Sequence, residues 1–307
     1  MSERIGIIDL GTNTFHLLLA EIQGGNMKII HRDRQAVRIG MGGINQRIIQ
    51  EEAIDRALQC LRLFQKTIVQ KKVNRVLALA TSALRSANNA EEVIGKIKKE
   101  TGIEVTIISG EQEAQYIYLG IRSGMDLGAE KSLIVDIGGG SVEFIICNRE
   151  EICWKQSIDM GAQRLLERYH KHDPILAEEI EQLTTHYQQA LISLHVAIGK
   201  HQPITLVGSS GTFDTLSEIY CEQSGIPFHG EKPENPLTVK AFLKIHHELM
   251  IKNRAERLAI PGMIEMRVDM IVVASCLIHY LVTHFTFRKI RVSSYSLKEG
   301  VLSSLAK

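Results

Sequence analysis

Net charge is almost absent from this chain: 36 basic residues stand against 35 acidic ones over 307 positions. With no overall field to draw in nucleic acid or an acidic membrane surface, any anion has to be held by a local site. General nucleic-acid binding is therefore not expected. Aromatics are scarce at 5%, so the cores have to be built from Ile, Leu, Val and Ala. The five cysteines are odd in number and include no C-x-x-C pair, which reads as reduced thiols of a cytoplasmic protein, not a disulfide framework. Met-Ser-Glu-Arg leads straight into a strand pattern, without signal-peptide character. Long apolar runs are missing too. The most apolar late stretch, Met270 to Val282, is interrupted by His279 and falls well short of the roughly 20 residues a membrane span needs. It is expected to be a buried helix, and no membrane partner is expected. What remains is a globular composition with enough length for two domains.

Two segments repeat one plan. Residues 4–22 run from an apolar stretch into Asp9-Leu10-Gly11-Thr12-Asn13-Thr14 and out through a second apolar stretch. Residues 132–147 do the same around Asp136-Ile137-Gly138-Gly139-Gly140-Ser141. Each predicts two buried strands around a glycine turn, and their separation of about one domain predicts duplicated lobes. Between them, Ile54, Ala57, Leu58, Leu61, Phe64 and Ile68 recur at helical spacing behind Glu51 and Glu52. A strand at 75–80, a polar turn with Thr81, Ser82 and Arg85, a helix at 90–101 closed by Gly102, a strand at 103–108 and a helix opened by Glu111 complete an α/β lobe. The second half predicts a long helix at 176–199, a strand at 204–207, a glycine-rich turn and helix, then a last strand at 289–293 and a last helix at 297–306. The expected domains are 1–124 and 125–307, with helix 297–307 packing back on the first. No flexible linker separates them, so an interlobe cleft is expected.

The chemistry follows from the turns. Glycines let backbone N–H groups converge on an anion, and Thr12, Asn13 and Ser141 add hydroxyl or amide donors. An Asp at the end of the strand repels phosphate but suits Mg²⁺, directly or through water, which makes Asp9 and Asp136 metal candidates. Glu143 shares a face with Ser141 and is a charge in an otherwise apolar strand, expected either to be paired or to ligate metal, or else to face solvent at a sheet edge. Glu113 lies in a first helical turn beyond a strand, where it is placed either to act as general base or merely to complement the helix dipole. Arg85 is either a phosphate clamp or a solvated loop residue. Arg32, Arg34 and Arg38 either track a polyanion or line an exposed strand. Gly208-Ser209-Ser210-Gly211-Thr212 suits a phosphate or nucleotide at a helix N-terminus, with Gly208, Ser210, Gly211 and Thr212 as candidate ligands, but lacks the Gly-Lys-Ser/Thr ending of a P-loop. His246, His247, His279 and His284 lack metal-site spacing and read as helix-surface or core residues.

These stretches together resemble the exopolyphosphatase/guanosine pentaphosphate phosphatase (Ppx/GppA) family. The resemblance rests on Ile8 to His16, Thr81 to Arg85, Ile108 to Ala114 and Val135 to Glu143, and continues through Gly208 to Thr212, Arg267 with Asp269, and Leu297 to Gly300. It implies two lobes of the actin-like (ribonuclease H-like) ATPase fold and a hydrolase that releases terminal phosphate from polyphosphate or guanosine pentaphosphate with Mg²⁺. It further implies that Glu113 is the catalytic base, that Asp136 and Glu143 are metal-associated or catalytic acids, and that Asp9, Asn13 and Arg85 line the phosphate site. It leaves a homodimer open. Two departures stand out: Gln112 where relatives often carry Glu, and Lys298 where many carry Arg. The chain resembles the short form that lacks further helical domains, so lower processivity on long chains is expected. Rival expectations are an actin-fold small-molecule kinase, which would need an acceptor pocket, and a non-catalytic alarmone-binding regulator.

Overall fold

The computed structural model describes residues 3–23, 26–230 and 232–305. It divides into two compact units, Met1–Gly120 with Leu297–Lys307, and Ile121–Ser296.

The first unit opens with β1 (Glu3–Leu10), β2 (Thr14–Gln23) and β3 (Asn26–Ala36), an antiparallel meander. Then come α1 (Glu51–Gln70), β4 (Arg75–Ala80), α2 (Ser82–Ser86), α3 (Ala90–Thr101), β5 (Val105–Ile107) and α4 (Gly110–Gly124), within which the division between units falls. β4 and β5 run parallel to β1, giving the order β3-β2-β1-β4-β5. Ile54, Ala57, Leu58, Leu61, Phe64 and Ile68 form the buried stripe of α1, facing a core that includes Ile8, Leu10 and Leu17. Two expectations needed correction here. The polar turn at 81–85 is a short helix, and the strand expected at 103–108 pairs only over Val105–Ile107, because Ile103 is buried in the core instead of joining the ladder.

In the second unit β6 (Ser132–Ile137), β7 (Val142–Cys147) and β8 (Ile152–Ile158) form the meander. After it come α5 (Ala162–Tyr169), α6 (Ala177–Ala190), α7 (Ile192–His201), β9 (Thr205–Ser209), α8 (Gly211–Ser224), β10 (Glu234–Asn235), α9 (Val239–Ile251), α10 (Arg254–Leu258), a single 3₁₀ turn at Glu265–Arg267, α11 (Met270–His284) and β11 (Lys289–Ser293). The order β8-β7-β6-β9-β11 repeats the first sheet with the same strand directions, and β10 adds an antiparallel edge. The two units are thus copies of one actin-like fold. The long helix expected at 176–199 is broken at Leu191, whose backbone (φ −103°, ψ 15°) leaves the helix and turns the chain. α11 is buried along most of its length, and among the described residues no helix is long and apolar enough to cross a membrane.

α12 (Leu297–Leu305) belongs to the first unit. A Cβ on Gly300 would lie 1.7 Å from the Tyr116 carbonyl oxygen, so the glycine permits backbone-to-backbone packing of α12 on α4. Glu299 is buried and accepts from Arg32 at 2.7 Å, with Lys298 at 3.3 Å. Arg32 therefore tethers α12 to β3. Among the cysteines, burial pushes the Cys60 and Cys276 thiols up to about 12, which makes them poor nucleophiles.

The histidines expected to be structural include a packed pair. His246 of α9 stacks on His279 of α11 at 4.4 Å, next to Phe242, and its Nδ1 lies 3.1 Å from Ser275 Oγ. Burial, then the neighbouring His279 and His247, hold His246 down at about 4. A folded value below the ordinary 6.5 means the unfolded chain takes up the proton first. Stability is therefore complete above pH 6.5 and is lost as pH falls toward 4, by at most about 3 kcal/mol from this group. His246→Phe, which leaves the Ser275 hydroxyl its bond to Val272 O, should shrink the fall in melting temperature between pH 7 and pH 5. An unchanged fall would refute this account.

Candidate active site

In the first unit β1, β4 and β5 end level, with Leu10 beside Ala80 and Ala80 beside Ile107. The segments that follow all emerge from one sheet edge, the place where open α/β sheets hold ligands. The Asp9 turn is tight: a Cβ on Gly11 would sit 2.8 Å from Thr14 O. Thr12 O accepts from Gly40 N at 3.1 Å and Asn13 O from Arg38 N at 2.8 Å. In a planar trans peptide the N–H points opposite to the C=O, so the Asn13 and Thr14 N–H groups face away from the 38–40 loop. The loop fixes the direction of these donors, a role its sequence did not announce. Thr12 and Asn13 are buried, and Asp9 is half-buried beside His16 of β2.

Glu113 and Arg85 meet at this edge. Arg85 Nη1 donates to Glu113 Oε2 at 2.7 Å and to Ile108 O at 3.2 Å. Their side chains are 20% and 10% exposed, so Arg85 is not a solvated loop residue and Glu113 is not a solvated surface acid. Glu111, in the same turn, is exposed. Gln112 shapes the backbone. Its Oε1 accepts from Ser109 N at 3.0 Å while Ser109 Oγ accepts from Gln112 N at 3.1 Å, a capping box that starts α4. The cap sets the first turn and with it the direction of Glu113.

The second unit repeats the edge. Asp136 lies beside Ser209, and Ser209 beside Ser293, at the ends of β6, β9 and β11. Asp136 is also directly opposite Glu143 in the β6/β7 hairpin, which puts both carboxylates on one face. β7 is an interior strand and Glu143 is 1% exposed, so the solvent-facing alternative is overturned. Glu143 Oε1 accepts from Ser141 Oγ at 2.7 Å and Ser157 Oγ at 2.6 Å, and Asp136 Oδ2 accepts from Ser296 Oγ at 2.6 Å. Hydroxyl donors thus orient both buried anions.

The 138–141 turn is gripped from behind. Gly161, Ala162 and Gln163 donate their backbone N–H groups to Gly140 O, Gly138 O and Gly139 O at 3.2, 2.9 and 2.8 Å, and Arg164 Nε adds a bond to Gly140 O at 2.8 Å. With three successive carbonyls turned toward α5, the N–H groups of Gly139, Gly140 and Ser141 point the other way, an anion nest made by the peptide plane. Contact is so close that a Cβ on Gly161 would lie 2.4 Å from Gly139 C and Gly140 N.

Ser210 takes φ +75° to enter α8, unusual for a residue with a Cβ, and Thr212 is buried in its first turn. Gly208 makes room for the Phe213 ring, and the Arg267 guanidinium lies against Gly211, where a Cβ would be 2.2 Å from Nη2. Of the residues the sequence marked, Asp9, Gly11, Thr12, Asn13, Arg85 and Glu113 belong to the first unit. Asp136, Gly138 to Ser141, Glu143, Gly208 and Ser210 to Thr212 belong to the second.

Residues 18–307 match the Ppx/GppA phosphatase family. The chain belongs to this family. An exopolyphosphatase from Cytophaga hutchinsonii is 43% identical, with a TM-score of 0.96 over 99% of this chain and 98% of that one. A PPX-GPPA enzyme of Aquifex aeolicus is 28% identical, with a TM-score of 0.81 over 99% and 100% of the two chains. For this Ppx/GppA phosphatase, sequence reasoning missed Ser157, Gly161 and Ser296, and met Arg267 only as part of a family pattern. Only register pairs Ser157 with Glu143, across β7 and β8. Gly161 carried a weak signal as a glycine just before a helix.

Proposed function

We propose that this Ppx/GppA phosphatase hydrolyses the terminal phosphoanhydride bond of inorganic polyphosphate, with Glu113 as general base. The observation that carries this reading is the buried Glu113 carboxylate, aimed by a capped helix start and held by Arg85 at the carboxyl ends of the parallel strands β1, β4 and β5. Similarity to an exopolyphosphatase at 43% identity favours polyphosphate as substrate. Glu113 takes the proton of a water molecule as it attacks the terminal phosphorus, and inorganic phosphate leaves. The backbone donors of the Gly11–Thr14 and Gly139–Ser141 turns, with the Ser210–Thr212 helix start, would neutralise phosphate oxygens, the main catalytic demand of such transfers.

Asp136 and Glu143 fit Mg²⁺: two buried carboxylates opposite each other are costly without a cation, and they offer the oxygen donors this ion takes alongside phosphate. Asp9 holds the equivalent strand-end place in the first unit and is proposed as a metal ligand there, directly or through water. Bound Mg²⁺ would supply charge neutralisation at the phosphates. Phosphate release from polyphosphate and from guanosine pentaphosphate, assayed side by side with Mg²⁺ and again in EDTA, tests the proposal. Release from polyphosphate that stops in EDTA is expected. Release from guanosine pentaphosphate alone would transfer the substrate assignment, and release from neither would overturn the hydrolase reading.

A further inference from the structure

Arg257 is 1% exposed, among the largest wholly buried side chains in the chain. Its Nη1 donates to Asp173 Oδ1 at 2.7 Å and to Lys252 O at 2.6 Å, and its Nε donates to Val268 O at 3.1 Å. Only the Arg257 side of this ion pair is buried, and a pair of this kind is weak evidence for stability, because apolar side chains of similar volume often serve a core as well or better. What this one joins is more informative.

Asp173 lies just beyond the C-terminus of α5, whose N-terminus grips the carbonyls of the 138–140 turn. Its second oxygen accepts from Arg254 N at 2.6 Å, so Asp173 also caps α10. Val268 follows Arg267, the residue whose guanidinium rests on Gly211 at the start of α8. Arg267 is carried on a single 3₁₀ turn, which has little rigidity of its own. α10 grips that turn at both ends, through Arg257 to Val268 O and through Arg254 to Asp269 at 3.2 Å and Glu265 at 3.6 Å. One short helix therefore ties the support of the glycine turn to the support of Arg267.

We propose that Arg257 is a positioning residue for phosphate binding in the second unit: it fixes Arg267 and the 138–141 turn relative to one another, so that one phosphate chain meets both. The proposal rests on the functional reading above. It assigns Arg257 an effect on affinity, not on proton transfer by Glu113.

The test compares wild type with Arg257→Met, Arg257→Lys and Asp173→Asn. Each variant is checked by circular dichroism and melting, then assayed for polyphosphate hydrolysis and for binding of tripolyphosphate by calorimetry. A folded Arg257→Met protein should show KM and tripolyphosphate Kd raised about tenfold or more with kcat within about threefold, since misplaced binding groups of this kind cost one to two powers of ten. Arg257→Lys should recover part of the loss. Wild-type KM and Kd in folded Arg257→Met would overturn the proposal, as would kcat and KM changes that merely follow the folded fraction. Should Arg257→Met not fold, Asp173→Asn decides, because Asp173 is 37% exposed and its amide keeps the shape: a raised Kd supports the proposal and an unchanged one overturns it. Calorimetry separates the two claims. Wild type that binds tripolyphosphate without hydrolysing it refutes the hydrolase reading alone, and wild type that does not bind it refutes this proposal.

Discussion

Glu113→Gln is expected to lower phosphate release by about 10²–10⁴-fold, the range that one positioned general base contributes. The substitution keeps the shape of the side chain and leaves an amide oxygen to accept from Arg85, whose Nη1 also donates to Ile108 O at 3.2 Å. Folding should therefore survive, and substrate affinity should change little, because the donors proposed to bind phosphate lie on other segments. The readout is kcat and KM for polyphosphate, with a melting curve to confirm the fold. Glu111→Gln is the matched control. Glu111 shares the first turn of α4 but is exposed, and its substitution should leave kcat and KM near wild type. Near-normal turnover in Glu113→Gln would remove it from the reaction and leave the Arg85 pair as a structural brace.

Gly161→Ala should cost about 10²-fold in kcat/KM, the penalty attached to displacing a binding group by about 1 Å. Backbone strain is not the cause, since Gly161 has φ −65° and ψ 163°, open to any residue. The cause is steric. The new methyl would lie 2.4 Å from Gly139 C and Gly140 N, and neither is the tip of a side chain that can rotate aside. Either the turn or α5 has to move, the bonds from residues 161–163 stretch, and the three N–H groups aimed by those bonds lose their convergence. Gly199→Ala is the comparison, because nothing lies within 4 Å of a Cβ there and alanine suits a helix better than glycine. Equal kcat/KM in the two variants would show that the 138–141 turn does not depend on α5.

Much of the site was legible from sequence because its signals are local. The Asp9 and Asp136 hairpins follow from apolar runs either side of a glycine turn. Ser141 and Glu143 share a face by strand alternation, and the structure joins them at 2.7 Å. Gly102 ends α3 in the left-handed conformation its glycine predicts, at φ 71°. The repeated plan pointed to two copies of one fold, and both sheets carry the same strand order.

The rest depended on what the tertiary structure brings together. Glu113 was ambiguous because helix-dipole chemistry places an acid in a first turn equally well, and its burial against Arg85, 28 positions earlier, is a contact only the tertiary structure supplies. Ser296 reaches Asp136 across 160 positions, because β11 lies beside β9 and β9 beside β6, an adjacency that no local pattern encodes. Gly161 and Gly300 look like ordinary glycines until a neighbouring backbone is seen within 2.4 and 1.7 Å of the missing methyl groups. By itself, then, the sequence determined which residues could do chemistry and where the glycine turns lie, since turn chemistry and periodicity act over a few residues. Which carboxylate is buried, and which helix holds each glycine turn in place, was decided by the packing of parallel strands and the helices between them, since those contacts join residues far apart in the chain.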